Sequence, residues 1–208
     1  MTRDYTDLWV SPDPEILKRL RALGYSACGL ELGYGEALPQ PFARAAAELG
    51  ISAVVKRIYR AGSRQEILEK LRGRPGNIIL SVMPLSREAL MVALRDERVD
   101  TVIAHPEMAE VDRNVLEVYQ NPLEISLAAV RESLKDFRRL KNIVRLCQTC
   151  IAEEKPLVIS SGARNIYELR KPRQMAYLLS ALAGYDNPWD EAVSTTPYTV
   201  VRRCIGFV

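Results

Sequence analysis

Seven short apolar runs rich in β-formers, each followed by a longer segment of helical character, constrain this chain more than any other feature. The runs fall at 5–10, 27–32, 52–59, 77–83, 101–104, 123–126 and 156–160. The segments between them read as helices at 12–23, 42–49, 63–72, 86–94, 111–119 and 127–153. Ser11 or Asp13 can cap the first, Gly24 can stop it, and Ser63 can cap the third. Strand–helix alternation of this kind demands parallel strands joined by right-handed crossovers. The runs are apolar throughout, as strands covered on both faces must be. A closed or nearly closed barrel of about seven strands satisfies this. An open doubly wound sheet is the alternative, but no Gly-x-Gly-x-x-Gly follows the first run, which weakens a dinucleotide-binding reading. After residue 160 the β signal fades, and 172–183, 188–194 and 198–203 read as helices. A length of 208 residues suits one domain. We therefore expect a single α/β barrel domain over 1–208, with a helical C-terminal portion from about 165 to 208.

Charge alone announces no partner. The 29 basic and 26 acidic side chains leave a formal charge of +3, so any polyanion-binding surface must come from how the charges are sorted. No apolar stretch is long enough to span a membrane, and the first residues lack the apolar core of a signal peptide. A cytoplasmic chain is the expectation. In such a compartment Cys28, Cys147, Cys150 and Cys204 are expected to be free thiols. Cys147 and Cys150 make a Cys-x-x-Cys, but it lies deep inside a predicted helix and Cys147 falls on the apolar stripe. Core packing explains it better than zinc or redox chemistry.

Parallel barrels place their chemistry at the C-terminal ends of the strands. The first run carries Asp7 and Trp9, and the second ends near Glu31. Lys56, Arg57 and Arg60 close the third, and Arg87 follows the fourth. His105, the sole histidine, follows the fifth with Glu107 and then Arg113. Glu124 lies on the sixth. The seventh ends in Ser160-Ser161-Gly162-Ala163-Arg164, with Arg170, Lys171 and Arg173 beyond. This end combines positive charge with small residues whose backbone N–H groups can meet a phosphate. The predicted 127–153 helix adds a basic face of Arg131, Lys135, Arg138, Arg139 and Arg145, apart from an apolar stripe of Val130, Leu134, Phe137 and Leu140. Aromatics are 7% of the chain and do not interleave with the basic residues. That favours recognition of shape and phosphate over a single-strand stacking platform. One histidine rules out a multi-histidine metal site, whereas an all-oxygen site from Asp7, Glu31, Glu107 and Glu124 stays open.

Several stretches, in order along nearly the whole chain, resemble the family of archaeal ribonuclease P protein component 3, relatives of the thirty-kilodalton human subunit. They are Tyr-Thr-Asp-Leu-Trp-Val (5–10), Val-Asp-Thr-Val-Ile-Ala-His-Pro (99–106), Asp-Arg-Asn (112–114), Asn-Pro-Leu-Glu-Ile-Ser-Leu (121–127), Pro-Leu-Val-Ile-Ser-Ser-Gly-Ala (156–163) and Leu-Arg-Lys-Pro-Arg-Gln-Met (169–175). The resemblance implies a distorted TIM-like barrel, related to the polymerase-and-histidinol-phosphatase metal hydrolases. Those enzymes open with His-x-His after the first strand. Here Asp7-Leu8-Trp9-Val10 stands instead, so the isolated chain is expected not to be catalytic. The implied role is a protein subunit of ribonuclease P, an endoribonuclease in which a catalytic RNA removes 5′ leaders from precursor tRNA. The implied partners are that RNA, precursor tRNA in the holoenzyme, other ribonuclease P proteins, and a small ferredoxin-like protein in a two-plus-two heterotetramer. No cofactor is expected on this chain, with Mg2+ required by the holoenzyme RNA. The candidate RNA contacts are Lys56, Arg57, Arg60, Arg87, His105, Arg113, Arg164, Arg170, Lys171 and Arg173. A stand-alone metal-dependent phosphoesterase of the related type is the alternative.

Overall fold

Every apolar run becomes a strand, and each strand pairs in parallel with the next. The computed structural model describes residues 4–108 and 110–205. In chain order the elements are β1 (Tyr5–Val10), α1 (Pro14–Leu23), β2 (Tyr25–Glu31), α2 (Gln40–Glu48), β3 (Ser52–Ala61), α3 (Arg64–Leu71), β4 (Ile78–Pro84), α4 (Arg87–Arg95), β5 (Thr101–Ile103), α5 (Arg113–Val118) and β6 (Leu123–Ser126). They continue with α6 (Leu127–Ser133), α7 (Phe137–Ala152), β7 (Leu157–Ser160), α8 (Pro172–Ala183), a 3-10 turn (Asp190–Val193) and α9 (Thr195–Ile205). The sheet order is β1 through β7 without interruption. Among the described residues no ladder joins β7 back to β1. A single parallel bridge between Val10 and Ala163 closes that seam, with Ser11 N–H donating to the Ala163 carbonyl at 2.9 Å. The result is the nearly closed α/β barrel that the alternation requires.

Local chemistry sets the helix ends. Asp13 accepts the Glu15 N–H, Ser63 the Glu66 N–H and Ser86 the Ala89 N–H. Such caps satisfy orphan donors and stabilise a helix by about 1 kcal/mol. Gly24 ends α1 at φ +94°, a left-handed conformation that favours glycine. Two expectations need correction. The 127–153 stretch is two helices. Asp136 is extended, at φ −142°, and accepts the Arg138 N–H at 2.8 Å, so α7 starts afresh there. The Ser133 hydroxyl donates back to the Ala129 carbonyl at 2.7 Å, the local competition that favours a helix end. The break turns the expected apolar stripe outward at its centre: Leu134 and Phe137 are 67% and 81% exposed, while Val130 is buried. Of the 188–194 segment only the 3-10 turn is helical.

The barrel interior is stratified. At the N-terminal end of the strands, Leu8, Ala27, Val54, Ile79 and Val158 pack with Val200, Val201 and Cys204 of α9, which plugs the barrel from below. Above this apolar floor runs a belt of buried polar side chains: Lys56, Ser81, Thr101, Glu124 and Ser160. At the C-terminal end, Glu31, Ile58, Met83, Ile103, Ser126 and Gly162 line an open cleft. Gly29, paired in register with Val54, must lack a side chain because a Cβ there would overlap the Leu8 carbonyl. On the outer face Leu80, Val82, Val102, Leu123, Ile125 and Ile159 meet the helical layer, and a second cluster around Cys28, Leu30 and Val10 lies under α1 and α2. Cys147 and Cys150 pack in the former cluster as free thiols pushed up to about 12 by burial.

Candidate functional site at the barrel mouth

The mouth is a cleft of about 950 Å³, lined by Trp9 and Glu31 from the first two strands, Arg60 from β3, His105 and Glu107 after β5, Arg131, Glu132, Lys135 and Arg139 from the α6–α7 region, and Arg164 and Glu168 after β7. Charge on this surface divides into groups already neutralised and groups that are free. Arg131 pairs with Glu168 at 2.9 Å. Arg139 pairs with Glu107 at 2.7 Å and has Glu132 and Asp136 within 4 Å. Arg60, Lys135 and Arg164 have no carboxylate within ion-pair distance among the described residues, and all three are exposed. The lining holds five cations and four carboxylates, and the three cations without an ion pair are the groups a multivalent anion would meet at this opening.

Directly beneath, the polar belt is neutralised internally. The Lys56 ammonium donates to both oxygens of Glu124 at 2.5 Å. Thr101 and Ser160 hydroxyls donate to the same carboxylate at 2.9 and 2.8 Å, and Ser81 bonds to Thr101 at 2.7 Å. Trp9 closes the belt from above: Lys56 lies 5.3 Å from its ring centroid, and its indole N–H donates to Glu31 at 2.6 Å. Burial lowers the Lys56 ammonium and the Glu124 carboxylate opposes that shift. Asp7 is different. One carboxylate oxygen accepts the Ser161 and Trp9 N–H groups at 3.0 and 3.2 Å, while the other is buried with no hydrogen-bond partner. Burial pushes this carboxyl up to about 6 against the hydrogen bonds from Ser161 and Trp9, with the Glu124 charge adding to the rise.

The ten residues expected to meet a polyanion therefore separate. Arg60, His105 and Arg164 line the mouth together. Lys56 does not belong: strand alternation turns it into the barrel, where it is 0% exposed and bound to Glu124, so it offers no surface to a ligand. Arg57, its neighbour, faces the other way and lines a separate cleft with Tyr34. Arg87 is spent on Asp112 at 2.7 Å, and Arg113 lies 3.7 Å from Glu117. Arg170 donates to the carbonyls of Tyr167 and Leu169. Lys171 is exposed at the start of α8, and Arg173 stacks on Tyr177 at 5.7 Å. None of these last five lines the mouth cleft.

The turn after β7 was expected to offer free amides to a phosphate. Its Ser161 N–H goes to Asp7, its Ala163 N–H to the Ser161 hydroxyl at 3.1 Å, and its Arg164 N–H to Glu168 at 2.8 Å. These three donors hold the turn together and are not offered to a phosphate. Arg131, Lys135 and Arg139 are mouth residues that strand-end reasoning missed. Their signal was present in the basic face of the 127–153 segment, but placing that face over the barrel needed the tertiary fold.

The carboxylates do not fit a hydrolase metal centre. Glu124 is saturated by Lys56, Thr101 and Ser160, Glu31 is held by Trp9, and the His105 Nε2 donates to the Pro84 carbonyl at 2.7 Å. No three His, Cys, Asp or Glu side chains among the described residues converge for a metal ion. No helix among them is long and apolar enough to cross a membrane.

The family model described as RNase P subunit p30 matches residues 10–206 of the chain. No curated protein matches it by sequence. Among solved structures, a chain in the cryo-EM structure of archaeal ribonuclease P with mature tRNA superposes with a TM-score of 0.72 at 16% identity, covering 94% of this chain and 89% of that one. The crystal structure of A. niger ochratoxinase gives a TM-score of 0.59 at 10% identity, covering 95% of this chain and 71% of that one. At such identities the likeness is one of fold.

Proposed function

The chain belongs to the RNase P subunit p30 family, and from that premise we propose that its barrel mouth binds RNA within the ribonuclease P holoenzyme. An RNase P protein subunit takes part in tRNA processing. The observation that carries the finer reading is the set of three cations without an ion-pair partner, Arg60, Lys135 and Arg164, around an open cleft beneath which Lys56 is already paired with Glu124. RNA folding crowds phosphates together. Placed cations relieve that repulsion as counterions are released, and the binding is then steeply salt-dependent. In this reading the RNA subunit and its Mg2+ carry the chemistry that removes the 5′ leader of precursor tRNA, and this chain holds RNA in place. Its partners are the RNase P RNA, other RNase P proteins including a small ferredoxin-like one in a two-plus-two assembly, and precursor tRNA in the holoenzyme, all in the cytoplasm. The chain contributes no catalytic group of its own. The phosphoesterase alternative lacks support from the donor geometry at the mouth.

The test is reconstitution of precursor tRNA cleavage at low magnesium with the cognate RNA and the small partner protein, with and without this chain. Cleavage at the mature 5′ end that depends on the chain, and falls with the double variant Arg60→Ala/Arg164→Ala, supports the reading. Cleavage indifferent to a folded chain across magnesium and salt sinks it.

A further inference from the structure

A second cleft of about 540 Å³ lies beside the mouth, lined by Tyr34, Arg57, Tyr59 and Lys70 among others. That is within the roughly 300–1,000 Å³ range of small-ligand sites. Strand β3 builds both openings by alternation: Ile58 and Arg60 line the mouth, whereas Arg57 and Tyr59 line this cleft. Glu31 and Ile58 border both, so these two residues form the ridge between the clefts. The sparse aromatics of the sequence spoke against a stacking platform, yet the fold gathers two of them here with two cations. Tyr34 is 80% exposed and has the Arg57 guanidinium 5.5 Å and the Lys70 ammonium 5.6 Å from its ring centroid. Lys70 also lies 5.7 Å from the Tyr59 ring.

Neither cation has a carboxylate within ion-pair distance among the described residues, and the buried Arg57 Nε has no hydrogen-bond partner. The guanidinium donates one long hydrogen bond, 3.3 Å, from Nη2 to the Glu36 carbonyl. An exposed ring beside two cations that have no carboxylate partner is a combination that can hold an unpaired nucleotide, with the base taking the place of a cation on the ring face and the phosphate meeting the cations.

We infer that this cleft is a stacking site for one unpaired nucleotide of an RNA strand that continues from the barrel mouth over the Glu31–Ile58 ridge. The base lies on Tyr34, and Arg57 and Lys70 hold the phosphate. The inference rests on the RNA-binding reading of the mouth and adds to it a preference for single-stranded over duplex RNA.

The experiment is fluorescence anisotropy of the full chain with a short labelled oligoadenylate and, separately, with a blunt RNA duplex. Tyr34→Ala is expected to weaken oligoadenylate binding roughly 5- to 100-fold, the usual range for losing one stacked base. Tyr34→Phe should restore it, and duplex binding should be unmoved by either. Lys70→Gln should flatten the log–log salt slope for the single strand by about 0.7, one phosphate contact. Oligoadenylate binding unchanged in Tyr34→Ala, or an equal loss for duplex and single strand, overturns the inference. A wild-type chain that binds the duplex but not the oligoadenylate overturns it while leaving the mouth reading in place, and one that binds neither removes both.

Discussion

Lys56 and Arg60 sit on the same strand, four residues apart and on the same face, and their fates differ completely. Lys56 is enclosed in the barrel with its charge cancelled by Glu124 and that carboxylate satisfied by two hydroxyls. Arg60, two inward-facing positions further along with Ile58 between, is exposed and without an ion pair at the rim. The contrast shows how this barrel uses positive charge. Inside, a charge survives only when paired and hydrogen-bonded, so it serves the architecture. At the rim, water solvates it without a partner, so it stays available to a ligand. A basic residue at a strand end is thus no indication of binding until its depth is known.

The largest effect expected from breaking this contrast is at the buried pair. Lys56→Met should cost about 3–5 kcal/mol in denaturant unfolding, because Glu124 is left charged and dry. Adding Glu124→Leu should recover most of that loss. A single variant as stable as wild type would mean that the belt is wetter than it looks.

Next comes Asp7, the belt's unpaired counterpart. Its folded value of about 6 exceeds the ordinary 3.8, so the folded chain holds this proton more tightly than the unfolded chain does. The stability from that proton is present in acid, falls as pH rises from about 4 through 6, and is missing at neutral pH. Asp7→Asn should therefore stabilise the chain by about 2–3 kcal/mol at pH 8, the equivalent of roughly two pK units. The gain should shrink towards zero near pH 4. Urea midpoints of both proteins at the two pH values decide it.

At the rim the expected signature is the opposite, with ligand binding altered and folding untouched. Arg60→Ala and Arg164→Ala should each leave the unfolding midpoint unchanged and lower the salt slope of RNA binding by about 0.9. A matching loss in Arg87→Ala, whose partner Asp112 already neutralises it, would show that pairing does not separate binding from non-binding cations. The smallest effect is a gain. Glu168 accepts from the Arg164 N–H and from the Arg131 guanidinium, which together hold its carboxyl below its ordinary value. Glu168→Gln should unmask Arg131 and tighten RNA binding a few-fold at low salt, a change that weakens as salt screens it.

Much of this architecture is legible from residue order alone. The bounds of β1 and β6, the caps at Asp13 and Ser63 and the stop at Gly24 follow from short-range chemistry, because a cap or a left-handed turn is decided within a few residues. The break between α6 and α7 was within reach of the same logic. Asp136 carries a capping side chain, but the basic and apolar periodicity running through it favoured one unbroken helix.

Depth and convergence were not legible. Alternation shows that Lys56 and Arg57 face opposite sides of β3, but a strand covered on both faces has apolar residues on each. Its pattern cannot say which side is the barrel interior. Only the closed sheet decided that Lys56 meets Glu124 across 68 positions of sequence. The same long-range assembly brought Arg131 and Lys135 over the mouth and Tyr34 against Lys70. Strand order, helix caps and fold class are local or periodic properties, and the chain carries them in its order of residues. Which charges are cancelled and which are left free depends on distances between residues far apart in the chain, and those distances exist only once the barrel has closed.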